Sequence, residues 1–247
     1  MTGKLLVFAM VLTRLSTFFL VAPVFSWRTV PVRIKAAMAI MVSIFFSMIM
    51  PVKVVEGDVS TLKIVLMLAN EATYGFALGL VAVLIFSAVK MSGRIIERQM
   101  GMAMAATMDP LTGEQAQPLG MLIEIIFIFL FLSANGHHLL LMVLNRSYEA
   151  FPVGSIPTVG VLTSGAVESG SAMLIAGLRL SAPILTAFMV LMVTLAMLAR
   201  VAPEMNILFI SLPLRVGLGL LMAAVFLPFI GGYVSEFADL MGKLLPL

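Results

Sequence analysis

The sequence contains no cysteine, which excludes a disulfide framework and a thiolate metal site while leaving the redox compartment open. Charge is scarce too. Asp, Glu, Lys and Arg make up 11% of the 247 residues, where a soluble domain carries about 25%, and so little polar surface cannot cover a particle in water. The strict alternation of a transmembrane barrel is missing, since apolar residues come in contiguous blocks. No Lys/Arg cluster interleaves with aromatics, and the formal charge of +3 is scattered, so nucleic acid is not an expected partner. Basic residues near helix ends suit lipid headgroups instead. There is no H-E-x-x-H, nucleophile elbow, phosphate-binding loop or dinucleotide fingerprint. His137 and His138 are adjacent, and neighbours on a helix diverge by about 100°, so they do not easily share one ion. Enzymatic, metal and cofactor chemistry therefore have no residues to stand on.

What is present is grease. Hydrophobic residues reach 62% and the mean hydropathy is +1.15, which points to an all-α integral membrane protein. Measured against the roughly 20 apolar residues that cross a bilayer, the chain divides into about six long apolar elements: Leu5–Phe25, Ala36–Val52, Ala72–Val89 with a continuation through Arg98, Ile125–Asn145, Leu180–Ala199 after a weakly polar approach from Val159, and Val216–Ser235. Breakers separate them at Ser26–Pro31, Glu56–Asp58, Met108–Pro118, Phe151–Pro157 and Val201–Pro213. The run after Lys4 leads into Pro23, Trp27 and Arg28 without a small-residue cleavage site, so it reads as a retained helix. No repeat or linker divides the chain, and one domain over residues 1–247 is expected. Loop Lys/Arg counts set Arg28, Arg33, Lys35, Lys90, Arg94, Arg98, Arg200 and Arg215 against a smaller group of Lys4, Lys53, Lys63, Arg146 and Lys243. By the positive-inside rule both termini would lie outside the cytoplasm.

The apolar runs carry ions that lipid would not tolerate. Arg14, Glu71, Glu124 and Arg179 lie within or beside them, so each must meet protein or water, either between helices or between subunits, or snorkel to an interface. A proton relay through Glu71 or Glu124 is a further alternative. Lys90, Arg94 and Arg98 fall on one helical face, with Glu97 three residues from Arg94; the stripe either holds an acidic partner or marks the cytoplasmic end of a helix. Gly75 and Gly79, and Gly217 and Gly219, remove side chains where another helix can approach. Methionine is abundant, 21 of 247 residues. Met100, Met102, Met104 and Met108 crowd the approach to Asp109-Pro110, either as filler or as a deformable apolar seal.

The ordered segments RTVPVRIK (Arg28–Lys35), GRIIERQMG (Gly93–Gly101), MDP (Met108–Pro110), NGH (Asn135–His137), RVAPEMN (Arg200–Asn206) and SLPL (Ser211–Leu214) resemble the FliR family of flagellar biosynthetic proteins, part of the type III secretion export apparatus. The resemblance runs from about Arg14 to Phe229. It implies a fold like a fusion of the FliP and FliQ types, assembled with FliP-like and FliQ-like subunits into a cone-shaped hetero-oligomeric gate in the bacterial inner membrane at the flagellar basal body. FlhB-like and FlhA-like components would associate with it, and unfolded proteins would pass through. The family's plug maps onto Gly101–Pro118, placing Met102, Met104, Met108, Asp109 and Pro110 at the closed constriction. Where some relatives carry phenylalanines, this chain has Met102, Ala103, Met104, Ala105, Ala106 and Met108, which implies a methionine-lined plug. The tail after Phe237 is brief. The equivalent subunit of a virulence injectisome is the near alternative. A proton-coupled small-solute transporter is the distant one, and the related halves with matching broken helices that such folds show are absent.

Overall fold

The computed structural model describes residues 2–23, 25, 31–49, 60–102, 118–155, 159–204 and 206–244. Among these, seven long helices account for nearly everything and there is no strand. They are α1 (Thr2–Val21), α2 (Val32–Ile49), α3 (Thr61–Met100), α4 (Pro118–Ser133), α5 (Gly136–Ala150), α6 (Val159–Val201) and α7 (Ile207–Leu244). Helix is the form that satisfies every backbone group within its own segment, as an apolar surrounding demands. The chain is thus all-α. Three described helices are long and apolar enough to cross a membrane, or four if α4 and α5 count as one broken span.

Local chemistry sets the ends. α1 stops just before Pro23, with the Ala22 amide still bonded to the Phe18 carbonyl at 2.7 Å. The Pro31 and Ser60 carbonyls accept the first amides of α2 and α3. α3 ends at Gly101, whose φ of +79° is the left-handed conformation that closes helices with glycine.

The predicted elements have longer or shifted counterparts. α3 begins at Thr61, eleven residues before the predicted Ala72, and α6 begins at Val159, so the weakly polar approach is helical. α7 begins at Ile207, so the predicted connection through Pro213 is too long; a proline one or two turns into a helix forfeits a single bond. The fourth element is corrected outright. The expected continuous helix Ile125–Asn145 is broken at Ala134–Asn135, where Asn135 adopts φ 59°, ψ 26° and stands at the N-cap of α5. Asparagine tolerates this conformation better than any residue but glycine.

At about 1.5 Å per residue, the 40 residues of α3 extend about 60 Å and the 43 of α6 about 65 Å, twice the hydrocarbon thickness of about 30 Å. Both helices are longer than a perpendicular crossing requires.

The described residues group into two compact units, one drawn from Met1–Ile85, Asn135–Ser171 and Phe237–Leu247, the other from Phe86–Ala134 and Ala172–Glu236. In the first, α1 supplies buried Val7, Met10, Val11, Leu15 and Phe18, with Leu140, Val143 and Leu144 of α5 also buried. In the second, Phe86 of α3 meets Phe127 and Phe131 of α4 edge-on at centroid distances of 5.3 and 5.1 Å. Such pairs add about 0.5–1.5 kcal/mol each beyond burial.

Candidate functional site

Two of the intramembrane charges meet in the first unit. Arg14, in mid-α1, and Glu71, on α3, are both fully buried, with Arg14 Nε 2.6 Å from Glu71 Oε2. A guanidinium carries five donors in a fixed fork, and here the fork is well used. Nη1 donates to the Ser147 carbonyl at 3.2 Å and to Ser147 Oγ at 3.4 Å, and Nη2 donates to the Phe151 carbonyl at 3.1 Å. The planar group lies against two aromatic faces, 4.7 Å from the Tyr74 ring centroid and 4.2 Å from that of Tyr148. The second oxygen of Glu71 accepts the Gly154 amide at 2.8 Å, and Tyr74 pairs through its hydroxyl with Ser155 at 3.2 Å. One buried ion pair thus ties α1, α3, α5 and the turn at Phe151–Ser155.

The glycines of α3 make this possible. A methyl group on Gly75 would collide with the Arg14 carbonyl oxygen and lie 3.0 Å from Thr17 Cβ; one on Gly79 would lie 2.7 Å from Val21 Cβ. α1 and α3 therefore touch backbone to backbone at the level of the ion pair. Both oxygens of Glu71 are engaged, so this carboxylate acts as a tie between elements.

In the second unit, Glu124 is half-buried and lies 3.2 Å from Lys90 Nζ, itself well exposed. Exposed pairs contribute at most about 1 kcal/mol. Replacing Lys90 with alanine is therefore expected to shift the melting temperature of the purified protein by no more than a few degrees. Arg179 is exposed on α6. Of the remaining glycines, a methyl group on Gly219 would run into the Met100 side chain, whereas one on Gly217 would meet nothing within 4 Å. Gly217 is thus not a packing position among the described residues.

Met102 is half-buried at the end of the helical path of α3. Met104, Met108, Asp109 and Pro110, predicted at the constriction, lie outside the described residues, as does most of Gly101–Pro118. Just before that segment sits a residue whose role sequence reasoning misses. Glu97 is not an outward partner of Arg94; it is 5% exposed, and its Oε1 accepts the amides of Leu119 at 2.5 Å and Gly120 at 3.1 Å, at the start of α4. The available signal is Gly93, four residues earlier and on the same helical face, where only a small residue admits a neighbouring backbone.

Comparison with known proteins supplies the family. The family model for bacterial export proteins, family 1, matches residues 5–241. The chain is 28% identical to the flagellar biosynthetic protein FliR of Pectobacterium carotovorum over 96% of its own length and 90% of the relative's. It is 31% identical to the FliR of Bacillus subtilis over 88% and 85%. It is also 29% identical to the Yop proteins translocation protein T of Yersinia pestis, over 68% and 66%. A match over nearly the whole chain, on a fold of long apolar helices, shows that this protein belongs to the bacterial export proteins, family 1, the FliR-type membrane subunits of the type III export apparatus.

Proposed function

We propose that the chain is a non-enzymatic subunit of the flagellar protein-export gate in the bacterial inner membrane, helping to form and to plug the channel through which unfolded flagellar proteins leave the cell. The observation that carries the flagellar reading is coverage. The flagellar relative aligns over 96% of this chain, and the translocation protein over 68%. The injectisome equivalent is the second reading, favoured by that partial alignment. A deletion strain restored to swimming by this chain, but not restored in virulence secretion, separates the two.

Assembly with FliP-like and FliQ-like subunits draws support from α6. Exposed large apolar residues run along it from Val167 through Leu178, Met189 and Met197 to Val201. That stretch is about 50 Å long, and a tilt of about 20–40° still leaves it well beyond the hydrocarbon thickness of about 30 Å. The excess is apolar helix outside lipid, a surface that neighbouring polypeptides cover. FlhB-like and FlhA-like components would meet the same assembly.

The plug is assigned to Gly101–Pro118, with Met102, Met104, Met108, Asp109 and Pro110 at the closed constriction. Thioethers are polarizable and unbranched, so they pack around irregular shapes and give way to a passing chain. Deleting Thr107–Gln117 is expected to make the assembled resting gate leaky to small ions, measured as dissipation of an imposed ion gradient. If the assembled variant stays as tight as wild type, this segment is not the plug.

A further inference from the structure

Arg215 is a cation that the described residues leave unanswered. It lies about two turns into α7, inside the apolar stretch Phe209–Val225, and its side chain is half-buried. The Nε is closed to solvent and has no hydrogen-bond partner among the described residues. Nη2 reaches Met192 Sδ of α6 at 3.7 Å, and a thioether is a weak acceptor, while a guanidinium stays protonated at every physiological pH. None of the described carboxylates forms an ion pair with it. Arg14 makes the contrast, since its Nε, Nη1 and Nη2 all meet oxygens of this chain. A charge half-shielded by apolar side chains costs free energy until an anion reaches it.

We propose that Arg215 anchors a subunit interface and accepts a carboxylate, from Asp or Glu, carried on an apolar helix of a neighbouring polypeptide. The inference deepens the reading that the chain works in an assembly of membrane subunits, and rests on it. Charge complementarity selects an anion, and the surroundings select its carrier. Phe209 and Leu212 are exposed on one side of Arg215 along α7 and Val225 on the other, as are Met189 and Val193 beside Met192 on α6. Exposed apolar residues thus extend about 9 Å one way along α7 and about 15 Å the other. A lipid phosphate belongs at the rim of an apolar belt, whereas a carboxylate on a packed helix is delivered to its middle, where ionisable groups pair with one another. The planar fork of arginine also matches a carboxylate bidentately, so the pair fixes the register between the helices as well as holding them.

The test co-expresses the chain with the FliP-like and FliQ-like subunits of the same bacterium. It reads the yield of assembled complex by native mass, beside the melting temperature of the chain purified alone. Arg215→Met fills similar space without charge and is expected to lower the yield of complex at least about tenfold. The chain alone is expected to melt no lower than wild type, because an uncompensated charge has been removed. Arg215→Lys keeps the charge without the fork and is expected to give an intermediate yield. Arg215→Glu is expected to abolish assembly, and changing one Asp or Glu in an apolar helix of a partner subunit to Arg is expected to restore it. A lower melting temperature of the Arg215→Met chain alone overturns the proposal in favour of a role within the subunit, and so does assembly of Arg215→Met and Arg215→Glu at wild-type yield. A loss that no partner reversal rescues overturns the carboxylate, and dependence of the wild-type complex on added anionic phospholipid then identifies a headgroup as the occupant. If the wild-type chain captures neither subunit, the assembly reading itself falls.

Discussion

Arg14→Ala is expected to lower the yield and melting temperature of the folded chain sharply, with a cost of about 3–5 kcal/mol out of a total stability typically about 5–15 kcal/mol. The loss is larger than that of one contact, because the substitution strands its partners. Glu71 would remain at 0% exposure with only the Gly154 amide to compensate its charge. The Phe151 carbonyl would lose its donor, while the Ser147 carbonyl would keep the Phe151 amide at 2.9 Å. The stacking of the guanidinium on Tyr74 and Tyr148 disappears as well, worth up to about 2 kcal/mol when desolvated. Arg14→Met combined with Glu71→Met is expected to recover part of the loss, since replacing both members of a buried pair with apolar residues of similar volume is often neutral. Recovery should be incomplete, because the turn at Phe151–Ser155 loses the hydrogen bond that Arg14 of α1 makes to the Phe151 carbonyl. Thermal unfolding in detergent, with the yield of purified chain, checks the order: Arg14→Ala worst, the double variant intermediate, wild type best. A double variant as poor as the single one would show that the ion pair is not the unit that matters.

That hub explains which parts of the site are legible in the sequence. A charge inside a greasy run is conspicuous because lipid cannot shelter it, so Arg14 and Glu71 stand out from their neighbours alone. Their pairing does not. They are 57 residues apart, and three of their other partners are backbone groups of Ser147, Phe151 and Gly154, which every residue possesses. Glu124 and Arg179 stand out by the same rule, yet one is only half-buried and the other is exposed. An apolar run says that a helix avoids water; it does not say whether the chain itself, lipid or a partner provides the cover. Glu97 misleads for the opposite reason. Three residues from Arg94, it matches a solvent-facing pair, and only the small Gly93 on its own face hints that this side of α3 turns inward. The break at Asn135-Gly136 is also legible in principle, because Asn-Gly is a strong turn signal. The surrounding apolar residues, continuous on both sides, outweigh it.

Gly75→Val is expected to be nearly as damaging as losing Arg14, and Gly217→Val to be harmless to the isolated chain; the contrast separates packing within the subunit from packing between subunits. At Gly75 the obstacle is the Arg14 carbonyl oxygen, a backbone atom that no rotamer change can move, so α1 must back away as a whole. Overpacking of this kind costs typically about 1–3 kcal/mol, and the displacement also stretches the 2.6 Å ion pair carried by the same residue. Gly79→Ala is expected to act in the same direction, since its nearest neighbour is Val21 Cβ at 2.7 Å, an atom fixed by the backbone of α1. At Gly217 a new side chain enters open space, and the melting temperature of the purified subunit is expected to stay within about 2 °C of wild type, as for exposed substitutions generally. Gly217 nonetheless sits two residues from a glycine that receives Met100, on a helix whose Phe209, Leu212, Leu220, Leu221 and Val225 are all exposed. If a partner helix covers this face in the gate, Gly217→Val lowers the yield of assembled complex while leaving the free subunit intact. Equal yields of complex would place the face of α7 around Gly217 against lipid.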